Sequence, residues 1–498
     1  MPAIITNKFR INNSEQFSES FSETNNQVYY LGIGRPQPFG TSQRPDNRTD
    51  YEGTDTAPIT PGDTVGREFY TYDDLIAAKR VTSSDVSFVL PRRNWTTGTV
   101  YDYYRHDYGE YVTGSTSTRI TSDSGATNLT DSTYYVLSAA RNVYKCLDNN
   151  GGAASTDEPT GVSTSVITTT DSYKWKYMYT LSAAQQSNFL SIDFMAVSPN
   201  SSPSADQSNV ISAAVDGSID IVKIKSPGSG GTDGTFNGIP VRGDGSGAVA
   251  SVTVSGGAVI SVAVTTPGSG YTFGTISNAQ IVSAGATSLA GAELDVIIPP
   301  KGGHGANAKE ELGGFFVMMN TSLEGTESAN SGDFSAVNDF RKICLLRDPT
   351  KSASAVTANT ARLTKAVRFA ASPTPGTFTT DEEINQASTG AVGKVVEWDA
   401  TNRILYYIQT RHSDAGVDAN GNLTAFSGAN VITGQGGGSP TGTPDTSHSA
   451  TTNNVEFVSG YAIPEIDHDS GDVLYIENRT PIQRATDQTE NIKLVIEF

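Results

Sequence analysis

The sequence predicts a mainly β protein with a layered antiparallel core, a few short helices on loops and small inserted β modules. Two observations support this fold class. The 498 residues include 49 Gly and only 17% charged residues, and such a composition suits short strands joined by turns. Several segments also alternate apolar and polar residues with a period of two, which is typical of a strand with one buried face.

Residues 1–110 are expected to form the first compact block. The segment "QVYYLGIGRPQPFG" predicts a strand followed by turn residues, and "VSFVLPRRNW" predicts a strand that ends at Pro91. The segment "TYDDLIAAKR" predicts a short helix, with Thr71 as the N-cap and Asp73 and Asp74 near the positive end of the helix dipole.

The segment "YKWKYMYTL" is the clearest strand pattern in the chain. One predicted face carries Tyr173, Trp175, Tyr177 and Tyr179, and the other carries Lys174, Lys176 and Met178. An aromatic face either packs against a neighbouring sheet or offers a platform for flat sugars, and packing is favoured because aromatic side chains dominate core burial. A helix is expected next, since Ser182 and Gln185 have capping-box spacing.

Composition divides the chain into five segments. Residues 1–204, 296–369 and 455–498 are expected to build the core, while 205–295 and 370–454 are expected to be inserted β modules rich in Gly and Ser. In the first insertion, "VKIKSPGSGGT" recurs 40 residues later as "VAVTTPGSGYT". Each copy predicts a strand followed by a Pro-Gly-Ser-Gly turn, and two copies indicate a small module because a solenoid needs about three.

The end of the chain predicts a strand that holds the last residue inside a sheet. The residues of its expected buried face are Ile492, Leu494, Ile496 and Phe498. The N-terminal "AIITNKFR" is expected to pair nearby. A turn is expected before Pro481, where Glu477 and Arg479 either fix the backbone by charged hydrogen bonds or are merely solvated.

Charge and cysteine content exclude several classes of protein. Lys and Arg number 34 against 53 Asp and Glu, and the formal charge of −19 argues against nucleic-acid binding. No apolar run approaches the roughly 18 residues of a membrane span, and no secretory signal is recognised at the N-terminus. Cys146 and Cys344 lie in apolar strand patterns, so they are predicted to be buried thiols in a protein made in a reducing cytoplasm.

No motif points to catalysis, a cofactor, a metal or a small-molecule substrate. The histidines are far apart and lack zinc spacing: His106, His304, His412, His448 and His468. "DANGNL" at 418–423 has Leu423 where a calcium loop needs Gly, so this segment and "DHDSGD" at 467–472 are predicted to be surface turns. The "RGD" at 242–244 is also interpreted as a turn, and no carboxylate pair for glycoside cleavage can be singled out. The protein is expected not to be an enzyme.

The best-patterned segments resemble a known family. "AIITNKFR", "GIGRPQPF", "VLPRRNW", "VYKCLD", "YKWKYMYTL", "RKICLLRDP" and "SGDVLYIENRTPIQRATDQTENIKLVIEF" are similar to the gene-eight baseplate wedge proteins of T-even-like contractile-tailed bacteriophages. The C-terminal block is the most specific part of this resemblance. The two insertions resemble those of longer relatives in phages of marine cyanobacteria.

The resemblance implies a late-expressed, homodimeric virion component of the tail baseplate, assembled in the host bacterial cytoplasm. It would join neighbouring wedge subunits and relay the rearrangement that triggers sheath contraction. Trp95 and the "FFVMM" strand are the first places at which a dimer interface is expected. The alternatives are a tail adhesin that binds host polysaccharide through the aromatic face, and a polysaccharide-degrading enzyme.

Overall fold

The computed structural model describes residues 4–23, 27–39, 41–43, 49–324, 334, 337–410, 416–484 and 489–498. Strands account for 39% of the protein and helices for 12%, in many antiparallel sheets with few short helices. The prediction of a mainly β fold is therefore confirmed. None of the helices in the described residues is long and apolar enough to pass through a bilayer.

The helices in the described residues are α1 Asn7–Glu19, α2 Val65–Asp74, α3 Ala183–Phe189, α4 Ala205–Ala213, α5 Asn278–Ser283 and α6 Ala308–Leu312, with a 3-10 turn at Ser83–Asp85. The first strands are β1 Tyr29–Gly34, β2 Thr41–Gln43, β3 Thr49–Tyr51, β4 Gly53–Thr54, β5 Ala57–Pro58, β6 Leu75–Val81, β7 Val86–Pro91, β8 Tyr135–Leu137, β9 Asn142–Asp148, β10 Ile167–Thr168, β11 Lys174–Thr180 and β12 Phe194–Ala196. The next are β13 Ile221–Ser229, β14 Gly234–Pro240, β15 Arg242–Gly243, β16 Val249–Ser255, β17 Ala258–Thr266, β18 Gly274–Thr275, β19 Ala290–Ile297, β20 Phe316–Glu324, β21 Phe340–Arg347, β22 Thr350–Lys351, β23 Ser354–Ala355 and β24 Thr360–Arg362. The last are β25 Lys365–Arg368, β26 Glu383–Gln386, β27 Ala391–Asp399, β28 Ile404–Ile408, β29 Ile432–Gly434, β30 Thr441–Gly442, β31 Thr451–Thr452, β32 Val455–Glu456, β33 Tyr461–Ala462, β34 Asp472–Ile482 and β35 Thr489–Glu497.

The chain folds into two compact units. Unit 1 consists of Met1–Gln16, Ser87–Met318 and Val495–Phe498. Its central sheet has the strand order β10-β11-β9-β8. In the same unit, β13 pairs with β19 and β14-β16-β17 form a three-stranded sheet, and their buried residues make a separate apolar core between Ile219 and Ile298.

Unit 2 consists of Phe17–Val86 and Met319–Leu494. It contains a five-stranded sheet in the order β24-β6-β1-β21-β34 and a seven-stranded sheet in the order β30-β29-β26-β27-β28-β25-β33. Each of these sheets has its own cluster of buried apolar residues. The five segment boundaries expected from composition stay a prediction.

The helix prediction for "TYDDLIAAKR" is wrong. The helix α2 begins earlier, with Thr64 as its N-cap accepting a hydrogen bond from the backbone N–H of Arg67 (3.1 Å), and it ends at Asp74. The apolar part of the segment is strand β6, which pairs with β1 and places Ala78 opposite Gly32. Pairing on both edges of β6, with β1 and β24, outweighs the helix propensity of its alanines.

Two expectations for the chain ends are also wrong. The N-terminal segment does not form a strand, because the chain becomes helix α1 at Asn7. No turn interrupts 477–481, which lies inside the long strand β34. The bonds of the two charged side chains there join side chains: Arg479 lies 3.5 Å from Glu477, which also accepts from the Tyr475 hydroxyl (2.9 Å).

The C-terminal strand is confirmed as β35. Ile492 and Leu494 are only 6% and 5% exposed, while Ile496 and Phe498 are half-buried. The last backbone N–H, of Phe498, donates to the carbonyl of Phe315 (3.2 Å), so the final residue is bonded to the fold. The Asp-Gln part of the "DQTE" motif falls at 487–488, outside the described residues.

Candidate functional site

The predicted aromatic face of β11 is buried and is divided by a bulge. Tyr173, Trp175, Tyr177 and Tyr179 are all 0% exposed. The pairing of β11 with β9 skips Met178, so the alternation of faces is interrupted after Tyr177. Tyr173, Trp175 and Tyr177 pack in one core cluster, whereas Tyr179 packs with Met178 in another. These rings are therefore core residues, and none of them offers a surface for sugars.

The other face of β11 helps to form a buried group of charges, which we call the unit-1 charge cluster: Lys145, Lys176, Asp220, His304 and Glu311. Lys145 on β9 lies directly opposite Lys176 on β11. Two like charges at opposite positions of a sheet are destabilising, and acidic partners are required. Lys145 is bonded to the Glu311 carboxylate, with side-chain exposures of 0% and 2%.

The loop before α6 supplies backbone donors to the same carboxylate. Glu311 Oε1 accepts from the N–H groups of Gly305 (2.8 Å) and Asn307 (3.0 Å). Gly305 has φ +93°, and a Cβ there would lie 2.5 Å from Cγ1 of Val210, so only glycine allows this approach. The loop before α6 therefore wraps a buried carboxylate that this helix carries.

Burial governs the protonation of the unit-1 charge cluster. It lowers the pKa of Lys145, although the Glu311 carboxylate opposes this. Burial, together with the charges of Lys145 and Lys176, holds the pKa of His304 well below its usual value. Burial also raises the pKa of Asp220, although the charges of Lys176 and Lys145 lower it in part. His304 is therefore a neutral core residue, 4.9 Å edge-on from the Tyr104 ring, and its Nδ1 has no hydrogen-bond partner among the described residues.

A second buried group, the unit-2 charge cluster, contains Arg35, Glu52, Arg67, Asp74 and Lys342. Lys342 Nζ lies 2.6 Å from Asp74 and 3.3 Å from Glu52, and the side chains of Lys342 and Asp74 are 0% exposed. Arg67 lies 2.7 Å from Glu52. Arg35 lies 3.5 Å from Glu52 and 3.6 Å from Asp74. The cluster ties β1, α2 and β21 to the chain at Glu52.

Segments quoted for the sequence resemblance meet in the unit-2 charge cluster. Arg35 belongs to "GIGRPQPF" and Lys342 to "RKICLLRDP". Asn478 of the C-terminal block donates from its side-chain amide to Glu52 (3.3 Å) and to the carbonyl of Ile59 (3.1 Å). Sequence reasoning missed both clusters. A partial signal was present, because Lys145 stands between the apolar residues Tyr144 and Cys146 in a strand pattern, and a lysine there needs a buried partner.

The two cysteines and the described histidines contact other residues of the fold. Cys146 and Cys344 are buried and unpaired, which confirms that prediction, and burial raises the pKa of both thiols, for Cys344 to about 12. His106 accepts the Ile298 N–H (3.3 Å), and His448 contacts the Thr452 hydroxyl (2.9 Å). His412 lies outside the described residues.

The acidic turns use their carboxylates to hold the chain. Asp418 accepts from the N–H groups of Asn420 (2.8 Å) and Asn422 (2.9 Å). In the other turn, Asp467 accepts from the N–H of Ser352 (2.6 Å). The RGD carboxylate, Asp244, accepts from the Thr272 N–H (2.9 Å). Over the described parts of the chain, no three His, Cys, Asp or Glu side chains are grouped as metal ligands would be.

Two surface pockets have linings that are separate from the charge clusters. The larger, of about 630 Å³, is lined by residues of α1 and of the 301–310 loop, including Lys8, Glu15 and Lys301. The smaller, of about 380 Å³, contains His468, whose Nε2 lies 3.1 Å from Asp73. Both buried charge clusters lie apart from these linings, since none of their residues lines either pocket.

Side chains at both places expected to form a dimer interface make contacts within the chain itself. The indole N–H of Trp95 donates to Ser155 (3.1 Å). In the "FFVMM" segment, Phe315 is 4% exposed and Val317, Met318 and Met319 are 0% exposed. These four side chains fill the protein's own core, whereas Trp95 and Phe316 are half-buried. An interface at those two residues stays a prediction.

Comparison with known proteins gives one finding. The model of the family Phage-Gp8, described as Bacteriophage T4, Gp8, matches residues 3–208. This span is less than half of the chain, and it includes "GIGRPQPF", "VYKCLD" and "YKWKYMYTL" but ends before the C-terminal block. No curated protein matches the chain.

Proposed function

We propose, from the match of residues 3–208 to the Phage-Gp8 family model, that the chain is a member of this family, that it joins neighbouring wedge proteins in a tail baseplate, and that it relays the rearrangement that triggers sheath contraction. Membership of this family implies a structural role in the baseplate wedge and a place in the virion tail. The proposal further includes a homodimer, late expression, assembly in the host cytoplasm and the absence of catalysis. The family match is the observation that carries it.

The buried contacts inside each unit support the proposal that each unit transmits force as a rigid body. One way in which proteins relay a rearrangement is the rigid-body movement of packed units. In unit 2, the charge cluster connects β1, α2 and β21 through contacts of 2.6–3.6 Å between buried side chains. In unit 1, the last residue is bonded to Phe315 and the side chain of Val495 packs against the core.

The adhesin alternative loses its main support. It depended on an exposed aromatic platform, and the four rings of β11 are 0% exposed. We therefore propose the structural role without a second function.

Genetic complementation tests the proposal. A nonsense mutation placed early in this gene of the parent phage is expected to leave infected cells without complete baseplates, and the wild-type gene on a plasmid restores them. Electron microscopy of the lysates reads the result. Complete contractile tails that merely fail to adsorb would contradict a wedge role and would restore the adhesin reading.

Self-association is tested separately. Sedimentation equilibrium at micromolar concentration is expected to give about twice the 52.6-kDa mass of one chain, since obligate interfaces bury over about 2,000 Å² and are stable at this dilution. A single 52.6-kDa species would remove the homodimer from the proposal and leave the wedge role to the genetic test.

A further inference from the structure

The contact between Lys145 and Glu311 is the most completely buried amine–carboxyl contact of unit 1. Their side chains are 0% and 2% exposed, and the aromatic rings of Tyr104 and Tyr134 are nearby: Lys145 Nζ lies 5.1 Å from the Tyr104 ring centre, and the Tyr134 hydroxyl donates to the backbone carbonyl of Glu311 (2.6 Å). Keeping two charges in such an interior carries a desolvation cost of several kcal/mol per ion.

We propose that Lys145 and Glu311 condense to an amide that covalently links β9 to α6. The nitrogen Nζ contacts the carboxyl oxygen Oε2 directly, so the fold holds the nucleophile next to the carboxyl group whose carbon it would attack. Fixed neighbours of this kind react as if at very high concentration, with effective molarities of about 10⁵ M or more. This inference concerns the protein's own maturation and does not rest on the proposed baseplate role.

The chemistry balances within the pair. A proton passes from the Lys145 ammonium to the Glu311 carboxylate, and the free electron pair of Nζ then attacks Cδ and forms a carbon–nitrogen bond. The bond from Cδ to one carboxyl oxygen breaks, and this oxygen leaves as water with the carboxyl proton and one amine proton. No oxidation state changes and no further reactant is needed. The products are one amide and one water.

The backbone of the Gly-rich loop is placed to assist this step. The N–H groups of Gly305 and Asn307 donate to Glu311 Oε1 at 2.8 and 3.0 Å, which is the distance range of an oxyanion hole. They also stabilise the carboxylate before reaction, so they accelerate the step only through the greater charge that gathers on Oε1 in the tetrahedral intermediate. The Lys176 ammonium is engaged elsewhere, donating to the Thr164 carbonyl (2.6 Å).

Intact-mass spectrometry of the purified, denatured full-length chain tests the proposal directly. We expect a mass lower than that of the sequence by about 18 Da, one water, and a branched peptide in the digest that joins the Lys145 peptide to the Glu311 peptide. Lys145→Arg keeps the positive charge but replaces the amine, and its mass is expected to equal that of its sequence. Lys309→Arg is the matched control, because Lys309 pairs with the partly exposed Glu15; its chain is expected to keep the deficit.

Two results would overturn the proposal. The first is a folded wild-type chain with the full sequence mass. The second is a deficit that maps to dehydration at an Asp-Gly step, of which Asp216-Gly217 is one, because such steps lose the same water. The wild-type digest alone decides between these outcomes, even if Lys145→Arg fails to fold.

Discussion

Replacement of Lys342 by Met tests the unit-2 charge cluster. The wild-type cluster has three cations against two carboxylates, and Lys342 makes its shortest contact, 2.6 Å to Asp74, at 0% exposure of both side chains. Removing one partner of a buried pair costs about 3–5 kcal/mol. The expected loss is at the lower end, about 3 kcal/mol, because Arg35 still lies 3.6 Å from Asp74 and Arg67 still lies 2.7 Å from Glu52.

Native-state hydrogen exchange measures this loss of stability at the strands that contact the cluster. Amides of β1 and β21, which pair with each other, are expected to exchange about 100-fold faster in Lys342→Met than in wild type, since each 1.4 kcal/mol is a factor of ten. Arg347→Met is the matched control on the same strand. Its partner is Asp472, with side-chain exposures of 35% and 58%, so the loss there is at most about 1 kcal/mol.

A double substitution separates pairing from packing. In Lys342→Met with Asp74→Asn, the loss of stability is expected to be smaller than the sum of the two single losses by at least about 1 kcal/mol, because the groups are in contact. Equal exchange rates in Lys342→Met and Arg347→Met would refute the reasoning, since they would mean that burial does not amplify this interaction.

Three further outcomes follow from particular residues. Thr64→Ala at the α2 N-cap should cost about 1 kcal/mol of unfolding free energy in urea, and an unchanged midpoint would mean that the cap lies elsewhere. Burial alone would raise the pKa of Asp171, but hydrogen bonds, the largest from the Thr169 hydroxyl, lower this pKa to about 2. The ionised carboxylate therefore stabilises the folded state at a pH above the pKa of Asp171 in the unfolded chain, and this stabilisation is lost as the pH falls toward 2. Asp171→Asn should flatten the acid arm of a pH–stability curve. Leu494→Ala, at 5% exposure, should cost about 2–5 kcal/mol, whereas Leu474→Ala, at 40% exposure, should cost far less; equal losses would contradict a buried C-terminal strand.

Local patterns predicted strands such as β1, β7 and β11 because each pattern was complete within its own segment. The strand β11 and the Ser182–Gln185 capping box were both predicted from such local patterns. The structure contains this strand and both reciprocal hydrogen bonds of the capping box. The segment that became α2 and β6 was not, since "LIAA" fits a helix and a strand equally well, and its partners β1 and β24 are remote in sequence. Tertiary pairing decided the outcome.

The sequence could signal a buried lysine, but it could not predict which residues would be its partners, for the same physical reason. Glu52 and Lys342, or Lys145 and Glu311, meet only after the chain has folded, and no local spacing announces the meeting. The bulge at Met178 is similar, because it depends on the register with β9 and moves Tyr179 to a different core.

The most direct test of the wedge role is an electron cryo-microscopy map of the parent virion's tail. Density that fits β11 with its bulge, and the terminal strand β35 with Phe498 held beside Phe315, is expected in the baseplate, repeated in each wedge. The same density at the tip of a tail fibre, or nowhere in the particle, would contradict the account.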